Sequence, residues 1–363
     1  MFEQQPQQQP LLTREHPDEL QPECHWPECH WELVCKDPLV YSAHVRFKNL
    51  GDGVSNSYLV YDDGEWLMVD AGAPGEQSYH IMREALEAIG VDLGKLKLFL
   101  THQHFDHSGQ VNNILAPGTP IYGSRIGFES RHEPTASEID ELFFRRMLAM
   151  GASPADAQAY EACNRETIFI DEERFDIRPV KEGNTITVGN RTLQVFEVPG
   201  HSPDSLVLFD ADAGILFSGD HVLTITTPAI DSFSTGEDGY ERYFESLKKV
   251  QKLKPRLVLP GHGSPIKEGF SDRINEIIDR KAERRREVLR AIAAHPYCMG
   301  ETVARLCSKR PEPEQWYKLP AVARYYLLLE TFVMIQTLVA QGIVQRMVLT
   351  DDGIYRLKAA SGF

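Results

Sequence analysis

Short apolar runs that end in glycine-containing turns recur through the first 270 residues of the chain. Residues 96–100, 193–198, 215–217 and 257–259 each read as a short apolar strand, and each delivers the backbone into a polar segment. From residue 125 to 166 the period changes. Ile139, Leu142, Phe143, Met147 and Met150 recur at intervals that place them on one helical face, and residues 154–163 read as a second helix. Beyond 270 the pattern is helical again. It predicts a long helix over 271–294 capped by Ser271, a short one over 301–309, and one over 321–341 that stops at Gly342. Two apolar runs, 344–349 and 354–357, then flank Asp352-Gly353, a hairpin signal.

The turns after the strands carry the chemistry. Residues 101–107 read Thr-His-Gln-His-Phe-Asp-His, so His102, His104, Asp106 and His107 follow one strand within six positions. Alternate positions after a strand end face the same way, which lets His102 and His104 hold one ion while Asp106 and His107 lie on the next turn beside a second. His201, Asp220 and His262 stand after three further strands, each directly behind a glycine (Gly200, Gly219, Gly261). Imidazole and carboxylate without thiolate suit zinc, and less exclusively manganese or iron. A hydrogen-bonded turn residue is the plainer account of any one of these side chains; the repetition at four strand ends favours a metal site.

With these residues in place, the chain resembles the metallo-β-lactamase-fold hydrolase superfamily over roughly residues 40–268. The family's His-x-His-x-Asp-His signature is similar to His102, His104, Asp106 and His107, and its remaining motifs to Asp70, His201, Asp220 and His262 in order. The resemblance implies a four-layer αββα sandwich with two divalent metal ions in a cleft at one edge. It assigns His102, His104 and His201 to the first ion, Asp106, His107 and His262 to the second, Asp220 to both, and Asp70 to a supporting position. A carboxylate at Asp220 looks like the dinuclear, glyoxalase II-type branch and moves the expectation away from β-lactams.

The expected reaction is hydrolysis of a small or medium ester, thioester or lactone by water activated between the two cations, with Asp106 orienting it or passing a proton. His221, beside Asp220, is a candidate supporting residue or a packed histidine. Phe143, Phe144, Met147 and Met150 are candidate substrate contacts if the helical insertion 125–166 stands over the cleft as a lid. Two other classes compete: a nuclease using the same metals on a phosphodiester, and an iron oxidoreductase resembling the sulfur dioxygenases of the superfamily. A serine nucleophile is disfavoured because Ser218 lacks the leading glycine of the Gly-x-Ser-x-Gly elbow.

Charge divides the chain at about residue 270. The net charge of −15 splits into −19 over residues 1–270 and +4 over 271–363, which marks a second module. Three helices and a hairpin resemble a winged helix, so nucleic acid is the rival partner to a small molecule. The acidic surface opposes a polyanion, and Asp279, Glu283 and Glu287 are spaced to pair with the arginines of the long helix, so a packing or homo-oligomerisation role is preferred. Residues 1–38 read as a Gln/Pro-rich tail in which Cys24, His25, Cys29, His30 and Cys35 fit no standard zinc module. No segment is expected to span a membrane. With no secretory signal and six cysteines, a cytoplasmic protein with reduced thiols is expected.

Overall fold

Strands buried on both faces must be apolar at every position, with alternate residues feeding two different cores, and the computed structural model shows this division in its central strands. It describes residues 30–47, 53–130, 135–164, 170–230, 239–309, 312–348 and 354–360. Seven strands form the first sheet in chain order: β1 (Trp31–Lys36), β2 (Leu39–Phe47), β3 (Gly53–Asp62), β4 (Glu65–Val69), β5 (Leu96–Phe99), β6 (Pro120–Ser124) and β7 (Asp176–Val180). Five more, β8 (Thr185–Val188), β9 (Arg191–Glu197), β10 (Leu206–Asp210), β11 (Ile215–Gly219) and β12 (Leu257–Pro260), form the second, in the order β12-β11-β10-β9-β8. Leu67, Val69, Phe99, Leu193, Val195, Ile215, Phe217, Leu257 and Leu259 fill the space between the sheets. Their neighbours point the other way. Trp66, Met68, Leu98 and Leu100 meet the helices α1 (Glu76–Ile89) and α3 (Val111–Ile114), whereas Val207, Leu216 and Val258 meet α7 (Gly239–Gln251) and α8 (Phe270–Ala294). Helix, sheet, sheet, helix is the expected αββα order.

Two expected boundaries shift. The first sheet starts at Trp31, within the stretch read as a tail, because β1 pairs antiparallel with β2 and Trp31 buries its indole against Tyr41, 6.3 Å between ring centres. Cys24, His25 and Cys29 lie outside the described residues. Helix α8 starts at Phe270, with Gly269 rather than Ser271 at its N-cap.

The insertion holds α4 (Arg125–Glu129), α5 (Thr135–Ala149) and α6 (Pro154–Asn164); the C-terminal part holds α8, α9 (Gly300–Cys307), the unanticipated short α10 (Pro313–Tyr317), α11 (Ala321–Ala340) and the hairpin β13 (Val344–Val348) with β14 (Tyr355–Ala359). The hairpin's expected turn, Asp352-Gly353, lies outside the described residues. One hydrophobic core runs through both parts and onto the second sheet. This corrects the substrate-lid expectation. Phe143 and Met147 are fully buried, Phe143 packs edge-on to Tyr325 of α11, and Met150 is buried with its backbone carbonyl accepting from Glu301 N at 2.8 Å. Phe144 is partly buried against the same core. The apolar face of α5 is therefore covered by the C-terminal helices and does not wall an open cleft. An ion pair, Arg324–Asp156 at 2.6 Å, joins α11 to α6 across the same contact.

Helix α11 bears on the membrane expectation. It is long and apolar enough to cross a bilayer (mean hydropathy 1.3), and 67% of that stretch is buried inside the fold, as in the core helix of a globular domain. Two of the three acids expected to pair with the arginines of α8 do so, Glu287 with Arg284 and Glu283 with Arg286 and Arg290, whereas Arg280 pairs with Glu276, which the spacing argument did not name. One of two buried charges of α8, beside Arg273, is Lys281, whose Nζ lies 2.7 Å from Glu330 Oε1 of α11. Lys281 and Arg284 outweigh burial and hold Glu330 below the usual carboxylate range. This contribution is present above pH ~4.3, the ordinary carboxylate value, and lost as pH falls through the depressed folded value. Lys281→Met, which strands Glu330 in the interior, is expected to cost about 3 kcal/mol in urea unfolding, with partial recovery in Lys281→Met/Glu330→Gln.

Candidate metal centre

β9 and β11 run in the same direction because each is antiparallel to β10, and β12 is parallel to β11. β4 and β5 are likewise parallel in the first sheet. The C-terminal ends of these five strands gather at one rim. They deliver Asp70, the 101–107 segment, His201, Asp220 and His262 to a common point. Asp70 turns there through a left-handed backbone (φ 60°), which for a non-glycine residue costs on the order of 1 kcal/mol.

Two glycines allow the final approach. A Cβ on Gly261 would lie 2.3 Å from Asp220 Oδ1 and 2.6 Å from His107 Cε1. On Gly219, whose φ is 48°, it would lie 2.5 Å from Thr101 Oγ1. Neither space admits a side chain.

The hydrogen bonds behind the imidazoles fix which nitrogens face the cleft. Asp70 Oδ2 accepts from His107 Nδ1 at 2.9 Å and from Thr101 Oγ1 at 2.8 Å. Having given its proton to the carboxylate, Thr101 Oγ1 can only accept from His102 Nδ1, 3.1 Å away. His201 Nδ1 donates to Ala229 O at 2.9 Å, and His262 Nδ1 to Val54 O at 2.6 Å. Four Nε2 atoms are thereby aimed forward.

They converge in two groups. His102 Nε2 and His201 Nε2 lie 3.0 and 3.1 Å from His104 Nδ1. One proton can serve only one of those two contacts, so the three nitrogens face one another largely lone pair to lone pair. In the second group His262 Nε2 lies 3.2 Å from Asp106 Oδ2, and His107 Nε2 lies 3.9 Å from Asp106 Oδ1. Asp220 stands between the groups. Its Oδ2 is 3.6 Å from His201 Nε2 and 3.3 Å from His262 Nε2, and its Oδ1 is 3.4 Å from His107 Nε2. His107 Nε2 and Asp220 Oδ1 are buried with no hydrogen-bond partner, atoms that a cation would satisfy. Three overlapping sets, His102, His104 and His201, then Asp106, His107 and His262, and also His102, His107 and Asp220, bring their ligand atoms close enough to hold a metal ion.

The electrostatics agree with this grouping. Burial, with the charges of His107, His104 and His201 next to it, keeps His102 well below its ordinary value and so neutral. Burial acts the same way on His107 and His262, but Asp220 and Asp106 outweigh it and raise both, His262 to about 10. Those imidazoles overcome the burial penalty on Asp106 in turn and hold it at about 2, while Asp220 lies well below the usual range. The carboxylates are ionised and compensated by protons that a metal would replace.

His221 is a packed histidine. It is buried edge-on against Tyr243, and burial pushes it down to about 3. Several supporting residues had no legible signal. Asp204 Oδ2 accepts from Gln103 N at 2.9 Å, fixing the backbone between His102 and His104. Asn56 Nδ2 and Tyr58 Oη donate to Pro260 O at 3.0 and 2.7 Å, bracing the turn before His262. Only the closeness of Asp204 to His201 in sequence hinted at its place.

Comparison with known proteins agrees with the fold. The family described as the Metallo-beta-lactamase superfamily matches residues 50–262. A Bacillus subtilis protein named "Probable metallo-hydrolase YqjP" is 26% identical over 285 residues, covering 75% of this chain and 86% of its own. The atrochrysone carboxyl ACP thioesterase of Aspergillus fumigatus is 24% identical, covering 66% of this chain and 59% of its own. Among solved structures, a metallo-beta-lactamase family protein from Thermus thermophilus superposes with a TM-score of 0.71 at 21% identity, over 88% of this chain and 98% of its own. A beta-lactamase domain protein from Burkholderia ambifaria gives 0.73 at 23% identity, over 88% and 92%. Both superpositions extend beyond residue 262 into the C-terminal helices. From the family match, and from histidines and aspartates gathered at the rim where the two sheets end, the chain belongs to the metallo-beta-lactamase superfamily and is one of its metal-dependent hydrolases.

Proposed function

We propose that the chain is a dinuclear hydrolase that cleaves an acyl bond, a thioester, ester or lactone of small or medium size. The observation that carries this reading is the place of Asp220, one carboxylate whose two oxygens face both ligand groups at 3.3–3.6 Å. His102, His104 and His201 would hold one ion, Asp106, His107 and His262 the other, with Asp220 shared. The donor set of imidazoles and carboxylates suits zinc. When bound, two adjacent divalent cations supply a nucleophilic water at neutral pH and polarise the acyl oxygen.

The chain's own residues do the positioning. Asp70 holds His107 directly and His102 through Thr101, so a single carboxylate sets one imidazole of each group. Asp106, ionised at neutral pH and facing His262, is placed to accept a proton at the reacting centre. The acyl-bond reading draws support from the printed activity of the Aspergillus fumigatus relative, a thioesterase. It also draws support from charge, since residues 1–270, net −19, would repel a phosphodiester polymer.

The test is a screen of zinc-loaded protein against thioester, lactone, β-lactam and phosphodiester substrates. Turnover is expected on the first two and to be abolished in Asp220→Ala; phosphodiester turnover, or full activity in the variant, contradicts the reading. Asp70→Asn is expected to weaken zinc binding about 10- to 100-fold in a chelator competition, because a hydrogen-bond partner behind a ligand is lost. Chelator-stripped protein is expected to be inactive and to recover on adding zinc.

A further inference from the structure

Residues 221–230, which follow Asp220, form neither helix nor strand, yet six of their ten carbonyl groups accept hydrogen bonds from side chains. His221 O accepts from Tyr243 Oη at 2.9 Å and Val222 O from Ser218 Oγ at 2.9 Å. Leu223 O accepts from Arg273 Nε at 2.7 Å, Thr226 O from Arg273 Nη2 at 2.5 Å, and Ile225 O from Arg280 Nη1 at 3.5 Å, the outer limit of a hydrogen bond. Ala229 O accepts from His201 Nδ1. Thr224 adds a third attachment, its hydroxyl donating to Ser264 O just beyond His262.

This segment therefore connects three pieces of the metal centre: Asp220 at its start, the carbonyl that orients His201 near its end, and the turn carrying His262 at its side. What holds its middle comes from elsewhere in the chain. Arg273 lies in the first turn of α8, outside the segment that the family matches, and its guanidinium is buried, with Nη1 on Glu276 Oε2 at 2.6 Å. A rigid fork holding two carbonyls of one irregular loop fixes both their separation and their direction. Without it, the carbonyl of buried Leu223 would be left unpaired, and the carbonyl of exposed Thr226 would turn to water, freeing the loop from α8.

We infer that Arg273 is a positioning residue for the metal centre: by clamping loop 221–230 to α8 it sets Asp220 and the Ala229 carbonyl behind His201, so the C-terminal helical layer is part of the site's construction. The inference rests on the dinuclear reading above. It separates Arg273 from Lys281, which lies on the same helix but pairs with Glu330 and holds none of the loop's carbonyls.

The experiment measures two quantities on the full chain: zinc affinity by chelator competition, and the melting temperature of the metal-stripped protein. Arg273→Gln is expected to weaken zinc binding about 10- to 100-fold, the range for lost support of a ligand. Arg273→Lys, which keeps the charge but loses the fork, is expected to fall between. Lys281→Met is expected to lower the melting temperature and leave zinc affinity unchanged. Wild-type zinc affinity in Arg273→Gln overturns the inference, as does an equal loss of affinity in Lys281→Met. If Arg273→Gln does not fold, Arg273→Lys decides in the same way, unchanged affinity being the contrary result. A wild-type chain that binds no zinc fails the dinuclear reading itself, and the inference with it.

Discussion

Lone pairs are brought together here at a density that protons alone do not satisfy. Two imidazole nitrogens, of His102 and His201, each lie within about a hydrogen-bond length of a third, His104 Nδ1, and a carboxylate stands between them and a second imidazole–carboxylate group. Such an arrangement is costly to bury unless positive charge enters it. In the protein alone that charge comes from His107 and His262, which the neighbouring aspartates keep protonated. A divalent cation does the same with fewer particles and better geometry, so the site reads as built for metal.

The αββα sandwich supplies the means. Strands with apolar side chains on both faces are locked between two cores, and the residues just past their ends inherit that rigidity. Behind each forward-facing imidazole stands a fixed acceptor: Asp70, Thr101, Ala229 O or Val54 O. Two of these are backbone carbonyls, whose positions depend on the loops that carry them. Loop 221–230 in turn is held to α8 by Arg273, so on the inference above the candidate site draws support from residues far along the chain from its histidines and aspartates.

The gathering of these histidines and aspartates at one rim was legible in the sequence because its signal is local and repeated: an apolar strand, then glycine, then histidine or aspartate, several times over. The four layers came from the family resemblance that those motifs carry, and runs such as residues 215–217 and 257–259, which leave no polar face, agree with it. The supporting residues were not. Arg273, Asn56 and Tyr58 act on backbone carbonyls, and a hydrogen bond to a carbonyl imposes no pattern on the residue that accepts it. Phe143, Met147 and Met150 show the opposite error. Their spacing correctly marked one apolar helix face, but periodicity does not say which neighbour covers that face, and α11 and α9 cover it in place of a substrate. The charge change near residue 270 was read as the start of a second module, yet the core of that part is continuous with the sandwich.

The claim that two cations share Asp220 is tested most directly by anomalous X-ray diffraction from crystals of the zinc-loaded protein. The account predicts two zinc peaks per chain flanking the Asp220 carboxylate, one bounded by His102, His104 and His201 and the other by Asp106, His107 and His262. A single peak, or zinc bound away from Asp220, would contradict it.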